Sequence, residues 1–316
     1  MADCVSVGVL VADHICAPID HLPVPGELIL TDQLLLTIGG CASNAAMDLA
    51  RVGVSVDVVG CVGDDPFGRF VTDTLDGRGV GTRLVRRLSD VGTSASLILN
   101  VRGQDRRFVH CLGANGRLTA ADIPTEAVRG AKVLYVGGFL LASALTGSEL
   151  AEVFRMAQAA GVTTLLDVVV PGPGDHWAQL EPLLPYTDVF LPNNDEGTAI
   201  LGEPDPRRQA ERYRAAGAGT VVVTCGGQGT YLLTGEERLK ADVFPTTFVG
   251  GTGAGDAFDA GYIAALLQGF DPVRCVAWGS ALGASCVRSI SATESVFTRE
   301  EAEAFLREHS LKLEAW

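Results

Sequence analysis

The chain has 316 residues, 47% of them hydrophobic, and a formal net charge of −14 at pH 7. This length allows one large or two ordinary domains, and the negative charge disfavours nucleic acids and anionic membrane surfaces as partners. Since no apolar run is long enough to cross a bilayer and the N-terminus lacks the basic region of a signal peptide, a cytoplasmic location is expected.

Runs rich in β-branched residues alternate with stretches of helical periodicity over the first two thirds of the chain. Strands are predicted at 5–10, 56–60, 133–137, 163–167, 188–191 and 221–224. Helices are predicted at 42–51, 68–77, 148–160, 177–184, 195–201 and 206–216, followed by three more at 253–268, 272–287 and 299–308. This alternation predicts an α/β fold with a doubly wound, mostly parallel sheet flanked by helices.

Two segments interrupt the alternation. Residues 14–37 carry turn signals at Pro18, Pro23 and Pro25 before a strand-like run, and residues 94–112 indicate a hairpin with a turn at 103–105. Extra strands of this kind predict a small sheet that lies outside the main one. We therefore predict a single domain over 1–316, with a β-sheet lid built from about 14–37 and about 83–112.

A glycine cluster, residues 250–255, runs directly into a predicted helix that carries Asp256 in its first turn. Backbone N–H groups at a helix start are unpaired and attract anions, and glycines let a phosphate approach them closely. The helix dipole favours an ionised Asp256, which could then accept a proton from a hydroxyl. Taken alone, Asp256 could equally be a helix-terminal carboxylate that contributes only about 0.3–1 kcal/mol.

The glycine cluster resembles a known family signature. Residues 251–258, Gly-Thr-Gly-Ala-Gly-Asp-Ala-Phe, resemble the C-terminal signature of ribokinase-like (PfkB-type) carbohydrate kinases, and residues 39–44 and 60–68 are similar to the N-terminal one. The resemblance implies ATP-dependent phosphorylation of a hydroxyl of a sugar or sugar acid. Asp256 would be the general base, and the amides of Gly253, Ala254 and Gly255 would form the anion hole.

The resemblance also assigns residues to the ligands. It implies that the sugar is bound by Asp13, Gly39, Gly40 and Asn44. It implies that ATP is bound by Asn193, Thr224, Gly226, Gly229 and Ser280, and that Mg²⁺ is organised by Asn193 and Glu196. From the residues alone, Asp13 could be a turn residue, Asn44 a helix cap, and the Asn193–Glu196 pair a cap followed by an acidic first turn.

Three positions depart from the family pattern. Gly250 stands where relatives often carry an aspartate that helps bind a monovalent cation, and Ser291 stands where they carry a glycine, so potassium dependence is expected to be weak or absent. Cys41 replaces the lysine common in kinases of sugar phosphates, which favours an unphosphorylated sugar or a sugar acid. On the hairpin, Arg106 and Arg107 could meet a carboxylate or phosphate, or could be solvated charges.

Two alternatives remain at this point. One is a nucleoside kinase of the same family, and the other is a regulator that binds a sugar or nucleotide without turning it over. In either case the expected partners are small molecules, with a possible homodimer formed through the lid because exposed strand edges tend to pair.

Overall fold

The computed structural model describes residues 2–104 and 107–316, where a large and a small β-sheet account for all named strands. The strands are β1 (Cys4–Gly8), β2 (Val11–Ile19), β3 (Leu34–Gly39), β4 (Val56–Gly63), β5 (Gly81–Leu88), β6 (Ala95–Val101), β7 (Arg107–Cys111), β8 (Val133–Gly137), β9 (Thr163–Leu166), β10 (Val189–Phe190), β11 (Thr220–Thr224), β12 (Thr230–Leu233), β13 (Arg238–Ala241) and β14 (Leu313–Ala315). The helices are α1 (Cys41–Arg51), α2 (Pro66–Gly77), α3 (Thr125–Arg129), α4 (Gly147–Ala159), α5 (Trp177–Leu180), α6 (Asn194–Leu201), α7 (Pro206–Ala215), α8 (Ala254–Leu266), α9 (Pro272–Cys286) and α10 (Arg299–Glu308).

The large sheet has ten strands in the order β14-β13-β12-β11-β10-β9-β8-β1-β4-β5. The strands from β11 to β5 are parallel, while β12, β13 and β14 add an antiparallel edge. This arrangement confirms the predicted α/β class. The antiparallel edge was not predicted, because the short β13 mixes charged and apolar residues.

Both faces of the large sheet are covered by helices. The continuous β-branched runs in the sequence are typical of strands that are buried on both faces. In β8, Val133 and Tyr135 belong to the core that includes α1, α2, α8, α9 and α10, whereas Leu134 and Val136 belong to the core that includes α4 and α7. Successive strand residues point to opposite faces. Burying each Val or Leu of this kind contributes about 1.5–3 kcal/mol to the free energy of unfolding.

The small sheet has the strand order β3-β2-β6-β7, and its β6–β7 hairpin agrees with the predicted one. The predicted second lid segment starts too early, because β5 pairs in parallel with β4 and extends the large sheet. Its charged residues Arg83, Arg86 and Arg87 obscured a strand whose Leu84 and Leu88 pack against the core. The predicted turn residue Asp105 and Arg106 lie outside the described residues.

Only two residues, Val9 and Leu10, separate β1 of the large sheet from β2 of the small sheet. Asn115 holds this connection with two hydrogen bonds. The Leu10 N–H donates to its Oδ1 at 3.0 Å, and its Nδ2 donates to the Leu10 carbonyl at 3.0 Å. Asn115 is fully buried.

One predicted helix is interrupted. The helix expected at 177–184 ends at Leu180, and a separate 3-10 turn spans Leu184–Tyr186. Pro182 and Pro185 explain the break, because proline lacks the N–H that continues a helix and its ring clashes with the preceding turn. Across the two described stretches of the chain, no helix has both the length and the hydropathy needed to span a membrane.

Candidate active site

Asp256 lies in the first turn of α8, and Gly253 makes this helix start possible. Gly253 is the residue before the helix and has a φ of 80°, a left-handed conformation that side chains disfavour. A Cβ on Gly253 would lie 2.5 Å from the carbonyl oxygen of Ala292. Glycine is therefore required here for both conformation and space.

Asn44 joins the N-terminal motif to the C-terminal one. Its Nδ2 donates a hydrogen bond of 2.8 Å to Oδ2 of Asp256, across 212 residues of sequence. Asn44 lies on the buried side of α1, which packs against α8. Its Oδ1 is buried without a hydrogen-bond partner in the described structure, so it is left to meet a ligand rather than to cap a helix.

Burial raises the pKa of the Asp256 carboxyl, and hydrogen bonds from Asn44 and Cys41 lower it only in part. The sequence led us to expect that the helix dipole would favour the ionised form. Removal from water outweighs that effect, because a buried charge loses its hydration. The hydrogen bonds from Asn44 and Cys41 therefore favour the ionised form of Asp256 against the effect of burial.

Further carboxylates surround Asp256. Cys41 Sγ and one oxygen each of Asp167 and Asp256 lie within 4.8 Å of one another. Asp259, one turn further along α8, accepts a 2.9 Å hydrogen bond from the Tyr135 hydroxyl. Burial raises the pKa of Asp167 and of Asp259 well above the usual value, and neighbouring carboxylates raise both further.

Sequence reasoning missed Asp167 and Asp259. Asp167 ends a predicted strand, and the carboxyl ends of parallel strands are where ligands bind in such sheets, so that signal was present. Asp259 carried no signal beyond its position one turn after Asp256.

Asn193 and Glu196 form the helix cap that was the alternative interpretation of their motif. Asn193 Oδ1 accepts from the Glu196 N–H, and Glu196 Oε2 accepts from the Asn193 N–H, both at 2.9 Å. Burial, with a further contribution from Asp256, nevertheless raises the pKa of Glu196 to about 8. The cap therefore leaves Glu196 electrostatically part of the carboxylate cluster.

This excess of buried carboxylates around Asp256 fits a divalent cation. Mg²⁺ takes oxygen ligands and would offset the mutual repulsion that raises these pKa values. Asp167 and Asp256, which each place an oxygen within 4.8 Å of the other, are able to hold it, and Glu196 adds negative charge nearby.

A cavity of about 500 Å³ brings together the residues predicted to bind a nucleotide. Thr224, Gly226, Gly229 and Ser280 line it, and Gly255 and Ala254 of the α8 start form another part of its wall. Asn193 pairs with Thr224 in an isolated β-bridge, so the cap adjoins this cavity. A Cβ on Gly226, Gly227 or Gly255 would meet no atom within 4 Å, so bare backbone is open to a ligand.

The rest of the cavity wall is largely apolar, as a flat aromatic base requires. It includes Val243, Phe244, Pro245, Phe248 and Val287. Sequence reasoning did not find this wall, because the segment 243–248 has no motif and acquires its role only by packing near α9.

Asp13 lies beside Gly39 and Gly40, the glycine pair that precedes α1. Asp13 lies inside β2 of the small sheet, and not at the end of the first strand as predicted, because β1 ends at Gly8. Gly39 packs directly on its carboxylate, since a Cβ there would come within 1.9 Å of Asp13 Oδ2. Gly40 precedes α1 with a φ of 92° and lies against the Val9 carbonyl.

Asp13 is prepared to accept hydrogen bonds. Its Oδ1 is buried and has no partner in the described structure. Burial raises the pKa of Asp13 to about 6, a hydrogen bond from Ser96 lowers it, and the charge of Asp256 raises it further. The structure therefore places a partly desolvated carboxylate within electrostatic reach of Asp256, and a turn role for Asp13 is wrong.

The remaining predicted residues are Gly250, Ser291 and Arg107. Gly250 packs against the carbonyl of Ser289, and Ser291 is buried with a hydroxyl that has no partner in the described structure. Arg107 is exposed and donates to Gln104. It lies on the face of β7 opposite to His110, since three residues separate them in a strand.

Comparison with known proteins identifies the family to which the chain is similar. A family model described as pfkB family carbohydrate kinase matches residues 1–299. The chain is 26% identical to a ribokinase of Haemophilus influenzae over 311 residues, which cover 96% of this chain and 98% of the relative. It is 29% identical to a 2-dehydro-3-deoxygluconokinase of Bacillus subtilis over 279 residues, covering 85% and 86%. The structure of Arabidopsis thaliana ribokinase complexed with ribose and ATP superposes with a TM-score of 0.83 at 25% identity, covering 97% of this chain and 99% of that one.

Proposed function

The chain belongs to the pfkB family of carbohydrate kinases, and on this premise we propose that it transfers the terminal phosphoryl group of ATP, bound with Mg²⁺, to a hydroxyl of a sugar or sugar acid. The relatives named ribokinase and 2-dehydro-3-deoxygluconokinase support this range of acceptors. The observation that carries the proposal is the hydrogen bond between Asn44 and Asp256 beside the glycine-lined cavity.

In the proposed mechanism, Asp256 accepts the proton of the attacking hydroxyl, and Asn44 holds its carboxylate in place. The amides of Gly253, Ala254 and Gly255 at the α8 start donate to the negative charge that develops on the phosphoryl group. Asp13 accepts hydrogen bonds from neighbouring hydroxyls of the sugar, which lies against the bare backbone of Gly39 and Gly40. When bound, Mg²⁺ neutralises phosphate charge.

The proposal is tested by measuring ADP release from Mg-ATP with a panel of sugars, sugar acids and nucleosides. We expect turnover with a sugar or sugar acid. Turnover with nucleosides alone would show that the acceptor is a nucleoside and not a sugar or sugar acid. Intact ATP binding without turnover of any candidate would contradict a catalytic role and favour a regulator.

The acid limb of the pH profile should depend on Asp13. Because burial raises its pKa to about 6, Asp13 loses its charge as the pH falls through that value, and sugar binding should weaken by about tenfold per pH unit below it. The measurement is KM for the sugar between pH 5 and 8. In Asp13→Asn we expect a higher but pH-independent KM, and an unchanged acid limb in this variant would contradict the assignment.

Potassium should have little effect on the rate. Gly250 supplies no carboxylate at the place where relatives hold a monovalent cation, and a hard cation needs such a ligand. We expect equal turnover in potassium and in tetramethylammonium buffers of the same ionic strength. Strong activation by potassium would refute this.

We further propose that the small sheet is a lid that closes over the sugar and excludes water, which would otherwise accept the phosphoryl group.

A dimer through this sheet stays a prediction, supported by the exposed Leu34, Leu36, Leu97 and Val109 on its outer face. Sedimentation velocity distinguishes a dimer from a monomer.

A further inference from the structure

A row of polar side chains crosses all four strands of the small sheet. Asp13 of β2 pairs with Thr37 of β3 on one side and with Ser96 of β6 on the other, and Ser96 pairs with His110 of β7. Laterally paired residues of neighbouring strands point to the same face of a sheet. These four side chains therefore form one continuous row, which we call the polar row.

The polar row faces the acceptor site. Its member Asp13 lies against Gly39, the last residue of β3, and the charge of Asp256 acts on the pKa of Asp13. The next row on the same face is apolar and consists of Ile15, Leu35, Ile98 and Phe108. A sugar lying under this face would therefore meet hydrogen-bonding groups along a single line, with an apolar border beside it.

Ser96 links the two ends of the row that can titrate. Its Oγ lies 3.1 Å from Nδ1 of His110, and Ser96 is the lateral neighbour of Asp13, whose buried Oδ1 has no partner in the described structure. A hydroxyl has one proton, and an ionised carboxylate can only accept. The Ser96 proton therefore goes to Asp13, and the Ser96 oxygen accepts the proton of His110 Nδ1.

This arrangement decides the tautomer of His110. With the proton on Nδ1, the neutral ring carries a lone pair on Nε2 and can only accept there. Burial lowers the pKa of His110 below its usual value, so the ring is neutral at pH 7. Nε2 can then accept a hydrogen bond from a hydroxyl, whereas a carboxylate would present it with a second acceptor.

We propose that His110 is a specificity-determining residue of the acceptor site, where its Nε2 accepts a hydrogen bond from a sugar hydroxyl and so favours a neutral sugar over a sugar acid. Two strand spacings, roughly 10 Å, separate the backbones of Asp13 and His110, so His110 contacts a part of the sugar that Asp13 does not. In the described part of the chain, no lysine or arginine is among the charges that shift the pKa of Asp13 or Asp256. A carboxylate bound beside Asp13 would face the like charges of Asp13 and Asp256. The inference rests on the proposed kinase function.

The first test uses matched acceptors. ADP release is measured with D-ribose and D-ribonate, with D-glucose and D-gluconate, and with 2-dehydro-3-deoxygluconate. We expect the neutral members to be preferred, and His110→Phe to raise their KM by about tenfold, the effect of losing one hydrogen bond, with a smaller change in kcat. His110→Gln, which retains an acceptor, should recover most of the loss, and His110→Arg should improve the relative use of the acids.

Val109→Thr is the matched control, because Val109 is exposed on the opposite face of the same strand, and its kinetics should equal those of the wild type. A wild-type preference for the acids would overturn the inference while leaving the kinase function intact. The same conclusion follows if His110→Phe leaves the KM of every neutral sugar unchanged.

The second test does not depend on turnover. In protein labelled with ¹⁵N-histidine, the resonances of His110, assigned by their loss in His110→Phe, should show a protonated Nδ1 and an unprotonated Nε2. Ser96→Ala should shift this ring towards the other tautomer, and Ser96→Thr should preserve it. A wild-type ring protonated at Nε2 would overturn the inference. Failure to phosphorylate any acceptor, with the expected tautomer present, would instead count against the proposed function.

Discussion

Replacing Asp256 with asparagine is expected to lower kcat by about 10²–10⁴-fold, the contribution usual for a positioned general base. The amide oxygen of the asparagine can still accept the hydrogen bond from Asn44, so the geometry should persist while the proton acceptor is lost. The measurement is single-turnover phosphoryl transfer with saturating Mg-ATP and the best acceptor found in the panel.

The stability of Asp256→Asn separates this loss from unfolding. Burial raises the pKa of Asp256, and its charge raises the pKa of Asp259 and Glu196, so an uncharged amide should relieve repulsion. We therefore expect the melting temperature to stay the same or to rise, and ATP binding to be retained. Asp73→Asn, on the exposed side of α2, is the control. A variant at position 256 with more than a tenth of wild-type kcat would remove Asp256 from the mechanism.

Two alanine substitutions in the same glycine cluster should fail for different reasons. A Cβ on Gly255 meets no atom within 4 Å but adds a methyl group to the wall of the nucleotide cavity. Gly255→Ala should therefore fold normally and lower kcat/KM for ATP by up to about 10²-fold, as expected when backbone donors are kept from the transferred charge. Nucleotide titration and thermal unfolding measure the two effects separately.

Gly253→Ala should instead lose stability. Its left-handed φ of 80° costs a residue with a side chain about 1–2 kcal/mol, and the clash with Ala292 adds to this cost. We expect a lower melting temperature together with lost activity. If Gly255→Ala melted early or kept wild-type kinetics, the α8 start would not be the anion site proposed here.

Much of the candidate site was predictable because its signals are local. The segment 250–256 predicts a helix start whose backbone N–H groups are unpaired. The residues Thr224, Gly226 and Gly229 predict a turn after a buried strand. The structure places both segments on one cavity. Such patterns depend on backbone conformation, which neighbouring residues largely determine.

The missed features depend on distant parts of the chain. Asp167 and Asp259 join the predicted Glu196 in an acidic cluster only because the end of β9, α6 and α8 converge in the fold. The sequence prediction placed β5 in the lid because its arginines make it look exposed. In the structure β5 pairs with β4 of the large sheet, and Arg83 and Arg86 form ion pairs with Asp57 and Asp122. From the sequence, a helix cap and a Mg²⁺ role were alternative interpretations of Asn193 and Glu196. In the structure the two residues form the cap, and Glu196 is also affected by the charge of Asp256, so one interpretation does not exclude the other.

We infer that the short connection at Val9 and Leu10 is a hinge of the proposed lid. Asn115 fixes Leu10 through both its N–H and its carbonyl, so lid closure would leave the backbone near Leu10 in place. Along β2, Asp13 lies three residues from Leu10 and Ile19 nine, roughly 10 Å and 30 Å in an extended strand. A given rotation therefore moves the tip of the small sheet about three times as far as Asp13. On this proposal the entrance to the site would open widely while Asp13 barely shifts, so a sugar could exchange at the edge of the lid while the carboxylate that binds its hydroxyls stays in place.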